Sequence, residues 1–274
     1  MNKKACVYFH QGWTDIIICF ALINYYKERY DEITILIRSD AQEMVDFYVR
    51  NMQGVRVIYL RTDNGRFHGN IFNSMIINEV AYFGHDVVVP TNWDIMFHAE
   101  HDRWRKDKYA GYWYQPDAFK KPANHFSEMF YTFYDIDYMT RVSHFNVDRD
   151  LELEEKTYQE FIKEHGENYV IYHDDMENHT HGSHHVSTQI EFNNILPDCK
   201  YVNLNKKSKI FFDYIKVIQN AKEVHLVDSI WGTLCYQLDA KYGIFNGKEI
   251  NLYCKRGHNN LFLYPVKLDN WKLL

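Results

Sequence analysis

The sequence predicts an α/β protein built from two parallel-sheet halves that face each other across a cleft. Short apolar runs alternate with longer amphipathic runs over residues 5–90, and the same alternation returns over 150–255. This pattern is typical of βαβ units, which build parallel sheets covered on both faces. Ligands of such sheets bind beyond the carboxyl ends of the strands, so residues that follow strands are the first candidates for a site.

In the first half, the short apolar runs are predicted to be strands and the longer runs between them helices. The predicted strands are ACVYFH (5–10), EITILIRS (32–39), VRVIYL (55–60) and DVVVP (86–90). The predicted helices are DIIICFALINYYKERY (15–30), AQEMVDFYVRNM (41–52) and NSMIINEVAYFG (73–84). An aromatic and charged stretch follows, which we expect to form a helical insert over 92–150. The first half therefore spans residues 1–150.

The second half, residues 151–274, begins around the polar helix DLELEEKTYQEFIKEHG (150–166) and then returns to the same alternation. The predicted strands are NYVIYH (168–173), KYVNLN (200–205), EVHLVD (223–228) and INLYCK (250–255). The predicted helices are IFFDYIKVIQNA (210–221) and SIWGTLCYQLDA (229–240). The two halves thus share one type of architecture.

Composition limits the kind of protein this is. With 274 residues, 46% of them hydrophobic and 25% charged, the chain is typical of globular proteins. A net charge of −6 argues against a dedicated nucleic-acid binder, because neutralising phosphates requires a basic face. Five cysteines without a C-x-x-C pair indicate a reducing compartment. The apolar run that ends at His10 is too short for a signal peptide, and the run 16–23 is too short for a membrane span, so we predict a cytoplasmic protein without a transmembrane segment.

The first candidate motif is HQGWTD (10–15), which follows the first predicted strand. Gly12 permits a tight turn there, and Thr14 or Asp15 can cap the next helix. Exposed at the cleft, Asp15 can act as a general base with His10 nearby. The alternative is an ordinary β–α turn with a good N-cap. The motif is not a phosphate-binding fingerprint, since neither G-x-G-x-x-G nor G-K-[ST] occurs.

The second motif is EVHLVDSIWGTLCYQL (223–238), in which a predicted strand runs into Asp228 and Ser229 and a helix begins at once. The free N–H groups and the positive dipole end of a helix N-terminus suit a phosphate or diphosphate. We expect Asp228, Ser229 and Trp231 to contact such a ligand, the serine through its hydroxyl, and Gly232 to let the ligand approach the backbone closely. The alternative is that Asp228 and Ser229 merely cap the helix.

The second motif resembles the carboxyl-terminal half of GT-B glycosyltransferases of the heptosyltransferase-like kind, in which a D-S-G-x-x-H-type turn holds the diphosphate of a nucleotide-sugar. The segment 211–238 also resembles uncharacterised glycosyltransferase-like proteins of bacteria and viruses. The sequence GWTD (12–15) is similar to the G-x-G-D turn of the same group, whose Asp is taken as the base that activates the acceptor hydroxyl. This chain has Trp13 in place of a small residue and Ile230 where a Gly usually follows the Ser.

The resemblance implies two Rossmann-like halves, with the acceptor bound by the first and the nucleotide-sugar by the second. It implies a metal-independent glycosyltransferase that moves a sugar from a nucleotide-sugar to a glycan or lipid-linked acceptor, with Asp15 or His10 as base and no cofactor besides the donor. Peripheral contact with a membrane is compatible with this function. One alternative is a non-catalytic nucleotide- or sugar-binding protein of the same fold, and another is a metal-dependent hydrolase that uses the histidine-rich stretch.

That stretch is YHDDMENHTHGSHHV (172–186), whose composition suggests a metal site. Its spacing matches no zinc or EF-hand signature, and we expect no metal there. His173 and Asp174 instead stand directly after a predicted strand, where they can contact the donor. Two cations also follow strands: Lys206 can neutralise a diphosphate, and Arg61 can face the acceptor.

Overall fold

A computed structural model describes residues 2–9, 12–61, 84–91, 126–132, 134–174, 189–192, 195–205, 207–245, 247–253 and 265–274. The chain divides into two compact units, Met1–Asn146 (unit 1) and Val147–Leu274 (unit 2). Each unit contains one sheet of parallel strands, with helices in the connections. The predicted α/β class with two parallel sheets is therefore confirmed.

Unit 1 contains a parallel sheet in the order β3-β2-β1-β4. Its strands are β1 (Lys4–Phe9), β2 (Glu32–Arg38), β3 (Val55–Leu60) and β4 (Val87–Thr91). The chain adds β2 and β3 on one side of β1 and then returns to place β4 on the other side. The four strands predicted for this half are confirmed. The helix predicted at 73–84 and most of the insert at 92–150 lie outside the described residues.

Helix α1 (Trp13–Lys27) is the buried centre of unit 1. Every residue from Ile16 to Ile23 is buried, which explains why the segment is apolar on all sides instead of amphipathic. The helix contacts β1 and β2 on the sheet, and it also contacts two helices from the end of the insert. These are α3 (Phe126–Thr132) and α4 (Thr140–Ser143), while α2 (Gln42–Val49) connects β2 to β3.

Unit 2 contains a parallel sheet in the order β6-β5-β7-β8-β9. Its strands are β5 (Tyr169–His173), β6 (Lys200–Asn203), β7 (Val224–Val227), β8 (Ile250–Tyr253) and β9 (Trp271–Leu273). Its helices are α5 (Leu151–His165), α6 (Ile215–Asn220) and α7 (Ile230–Tyr242), with a 3₁₀ turn at Phe212–Tyr214. All the strands except β9 and all three helices were predicted, but the helix predicted over 210–221 is divided into the 3₁₀ turn and the shorter α6.

Strand β9 was missed because its position depends on contacts distant in sequence. The carboxylate of Asp239 on α7 accepts hydrogen bonds from Asn270 Nδ2 at 2.9 Å and from Trp271 Nε1 at 2.8 Å. Its other oxygen accepts from the Phe245 N–H at 2.9 Å. A strand of three residues has too little periodicity to be recognised without these contacts. Within the described part of the chain, no helix is long and apolar enough to cross a membrane.

Candidate functional site

The carboxyl ends of β5 and β7 are adjacent in unit 2, and they are the point where the strand order reverses. From β5 the chain moves to β6 at one edge, whereas from β7 it moves through β8 to β9 in the opposite direction. Connections that leave in opposite directions open a crevice at such a point, where α/β sheets bind ligands. The end of β5 supplies His173 and Asp174, and Asp228 and Ser229 follow β7.

A buried hydrogen bond joins the two strand ends. Ser229 Oγ lies 2.8 Å from His173 Nδ1, and the two residues are only 2% and 4% exposed. Either atom can donate, depending on which ring nitrogen of the histidine carries the hydrogen. A hydroxyl and an imidazole that were predicted separately as donor-binding groups therefore form one polar pair.

Ser229 occupies the N-cap position of α7 without capping it through its side chain. Its backbone is extended, with φ −131° and ψ −167°, and its carbonyl accepts the N–H of Thr233 at 2.9 Å. No hydrogen bond joins the Ser229 hydroxyl to the first-turn N–H groups, and the hydroxyl is bonded to His173 instead. The alternative in which Ser229 merely caps the helix is therefore wrong, because its side chain forms no capping hydrogen bond. The positive end of α7 is left to other acceptors.

Asp228 lies next to this pair and is buried. Its backbone N–H donates to the carbonyl of Tyr253 at the end of β8, at 3.3 Å. This contact fixes the chain between β7 and α7 against the neighbouring strand. The donor-binding role of the Asp228 carboxylate stays a prediction.

The structure gives Gly232 a different role from the one predicted. A Cβ at this position would lie 2.6 Å from the carbonyl oxygen of Val227 and 3.1 Å from Leu252 Cδ1. The missing side chain therefore allows α7 to pack closely on β7 and β8. A glycine is required at this position because its Cα faces the sheet, where a side chain would not fit. Its presence is therefore explained without a bound ligand.

Trp231 was predicted to contact the donor, and this interpretation is corrected. Its side chain is 1% exposed and packs edge-on against Phe211, with ring centroids 4.9 Å apart, and near Tyr214 at 5.9 Å. Large rings in such contacts supply core packing. Trp231 anchors the first turn of α7 in unit 2 instead of presenting a stacking surface.

Asp174 connects the ends of β5 and β6. Its Oδ1 accepts hydrogen bonds from Asn203 Nδ2 at 3.1 Å and from Asn205 Nδ2 at 3.3 Å, and the residue is buried. Sequence reasoning missed both asparagines, although they stand at the end of KYVNLN (200–205), where polar residues after a strand were a usable signal. Through these contacts Asp174 holds the ends of β5 and β6 together. A direct contact between Asp174 and the donor stays a prediction.

In unit 1 the strand order reverses between β1 and β4, and Asp15 lies in the first turn of the helix that follows β1. Asp15 is half-buried, and the positive helix end stabilises its negative charge. The N-cap is Gly12, so the prediction that Thr14 or Asp15 caps the helix is wrong. Gly12 has φ −62° and an added Cβ would meet Asp15 Oδ2 at an ordinary 3.7 Å, so the turn does not require a glycine.

Of the remaining candidates, only Arg61 lies within the described residues. Arg61 is exposed and follows β3. Because β2 lies between β3 and β1, the ends of β3 and β1 are about 10 Å apart. His10 and Lys206 lie outside the described residues. So do the histidines of the rich stretch after His173. Within the described ranges, no group of three or more His, Cys, Asp or Glu side chains is arranged to hold a metal ion.

The fold is similar to that of a glycosyltransferase. The crystal structure of a glycosyl transferase family 9 protein from Veillonella parvula aligns with 99% of this chain and 86% of its own, with a TM-score of 0.58 and 16% sequence identity. At this identity the similarity concerns the fold, and the predicted GT-B-like class is confirmed at that level. No family model and no curated protein matches the sequence.

Proposed function

We propose that this chain is a glycosyltransferase that moves a sugar from a nucleotide-sugar to a hydroxyl of a glycan or lipid-linked acceptor. The observation that carries the proposal is the buried pair of His173 and Ser229, which lies where the strand order of unit 2 reverses and where α7 begins. The similarity in fold to a protein described as a glycosyltransferase supports the same class of reaction.

In this proposal the donor diphosphate binds at the start of α7. The first-turn N–H groups and the helix dipole attract the negative charge that grows on the diphosphate as it leaves. The Ser229 hydroxyl adds a donor at the same end, and Lys206 adds a positive charge from the segment after β6. These groups stabilise the leaving diphosphate without a metal ion.

Asp15 is the proposed general base. It follows β1, at the corresponding reversal point of unit 1, and stands in the first turn of α1. The acceptor oxygen forms a bond to the anomeric carbon as the bond from that carbon to the diphosphate oxygen breaks. The electron pair leaves with the diphosphate, and the acceptor proton goes to Asp15. His10 is the alternative base.

The test uses Asp15→Ala in a transfer assay with nucleotide-sugars and a glycan or lipid extract as acceptor pool. We expect loss of transfer by about 100-fold or more, because general-base catalysis typically supplies that factor. Binding of the nucleoside diphosphate should stay within about twofold. Glu43→Ala is the matched control, since Glu43 also lies in the first turn of a helix in unit 1. Normal transfer by the Asp15 variant would remove this residue from the mechanism.

A second candidate is a non-catalytic nucleotide- or sugar-binding protein of the same fold. It is favoured by Ile230, which follows Ser229 where the resembled turn has a glycine, and which begins α7. Binding of a nucleoside diphosphate by the wild-type protein, together with no transfer and no release of the nucleotide from any nucleotide-sugar, would identify this second function.

A further inference from the structure

The hydrogen bond between His173 and Ser229 is unusual because the serine stands at a helix N-cap, yet its hydroxyl does not cap the helix. A serine at an N-cap normally accepts a hydrogen bond from a first-turn N–H, and losing that bond weakens a helix. Here the hydroxyl is bonded to His173 Nδ1 at 2.8 Å, and no side-chain cap is formed. A buried histidine therefore determines where this hydroxyl stands.

The strand that carries His173 is itself fixed at this end. The next residue, Asp174, accepts hydrogen bonds from the side chains of Asn203 and Asn205 at the end of β6. On the other side, β5 pairs with β7 so that His173 is in register with Leu226, three residues before Ser229. Because both neighbours of β5 hold it in place, the imidazole has a defined position from which to hold the hydroxyl.

We propose that His173 is a positioning residue of the donor site, whose Nδ1–H donates to Ser229 Oγ and directs the serine O–H toward a phosphate oxygen. The inference rests on the proposed function, because it takes a nucleoside diphosphate as the ligand. Only the tautomer or charge state with hydrogen on Nδ1 leaves the serine hydrogen available. If Nδ1 carried no hydrogen, it would accept the hydrogen bond. The serine hydroxyl would then donate its hydrogen to the ring and could not donate it to a phosphate oxygen.

Two substitutions separate positioning through Nδ1 from direct contact through Nε2. The amide nitrogen of asparagine falls near the place of Nδ1, whereas that of glutamine falls near the place of Nε2. We expect His173→Asn to keep the affinity for a nucleoside diphosphate within about threefold, and His173→Gln and His173→Ala to lower it about tenfold. Isothermal titration with the diphosphates of uridine, guanosine, cytidine and adenosine measures these affinities.

A double-mutant cycle tests whether the histidine acts through the serine. Ser229→Ala should lower the affinity by about tenfold, and adding His173→Ala should then change it little, because the two residues serve one interaction. His225→Asn is the matched control: His225 is a buried histidine of the same sheet, hydrogen-bonded to Tyr253 and Glu223 at 3.0 Å each. It should leave the affinity unchanged.

Several results would overturn the inference. Retained affinity in His173→Gln with loss in His173→Asn would mean direct contact through Nε2, and independent losses in the cycle would mean that the histidine does not act through Ser229. Should the variants fail to fold, ¹⁵N NMR of histidine-labelled wild-type protein tests the inference. An imidazole of His173 without hydrogen on Nδ1 in the diphosphate complex would contradict the proposed hydrogen bond to Ser229. If folded wild-type protein binds none of the four diphosphates, the proposed function fails and this inference with it.

Discussion

Gly232→Ala is the perturbation whose effect on stability follows most directly from the geometry. The added Cβ would lie 2.6 Å from the backbone oxygen of Val227, which is shorter than any ordinary contact, and 3.1 Å from Leu252 Cδ1. The leucine side chain can move, but the carbonyl belongs to β7 and cannot shift without displacing the strand. Helix α7 must therefore move away from the sheet.

The expected magnitude combines two opposing effects. Overpacking in a core costs about 1–3 kcal/mol, and contact with rigid backbone belongs at about the upper end of that range. Replacing a glycine inside a helix with alanine returns about 1 kcal/mol through helix propensity. The net loss in the free energy of unfolding is about 2 kcal/mol, which corresponds to a decrease in Tm of about 4–8 °C for a chain of this length.

Urea denaturation and calorimetry of the wild-type and variant proteins measure this loss. Gly84→Ala is the control, because an added Cβ there meets nothing within 4 Å and the backbone conformation is ordinary. It should change the free energy of unfolding by less than about 0.5 kcal/mol. A Gly232→Ala protein as stable as the wild type would refute the view that this glycine exists to let α7 pack on β7.

Two further predictions concern buried polar and thiol groups. Arg149 holds the 2%-exposed carboxylate of Glu154 through bonds of 2.8 and 2.6 Å, so Arg149→Ala should cost about 3–5 kcal/mol in urea denaturation. Lys216→Ala breaks the more exposed ion pair that Lys216 forms with Glu155, the neighbour of Glu154 on α5, and should cost clearly less, so equal losses would contradict this. Burial raises the pKa of the Cys6 thiol to about 12 and raises that of Cys235, so both stay protonated at pH 8. Iodoacetamide followed by peptide mass spectrometry should label them only after unfolding, and labelling in the native protein would contradict their burial.

Most strands and helices were predictable because their signals are local. The run from Ile16 to Ile23 is apolar on every side, which is the pattern of a helix that is buried all round. The strand β9 was not predictable, since Asp239, Asn270 and Trp271 hold it through bonds across about thirty residues of sequence. Its three residues carry no periodic signal of their own.

The candidate site was only partly predictable, for a related reason. The motifs marked His173 and Ser229 as residues after strands, but their bond spans 56 positions and depends on β5 and β7 being neighbours. Strand order is a property of the whole sheet, and a local pattern does not contain it. The same is true of Asn203 and Asn205, whose partner Asp174 follows another strand.

Side-chain direction was the other limit of the sequence. The motif around α7 marked Trp231 and Gly232 as ligand contacts, yet the tryptophan packs on Phe211 and the glycine faces Val227. Both residues lie in the first turn of a helix that packs against its sheet. Which residues of that turn face the sheet depends on how the helix is rotated, and spacing alone did not determine it.

In the proposed function a nucleoside diphosphate binds at the start of α7, and Asp15 acts on a different reactant. Isothermal titration of the four nucleoside diphosphates into wild-type, Ser229→Ala and Asp15→Ala proteins tests both roles. We predict that wild-type and Asp15→Ala bind the same diphosphate equally, and that Ser229→Ala binds it about tenfold more weakly. Equal binding by Ser229→Ala, or the same loss in both variants, would contradict these roles.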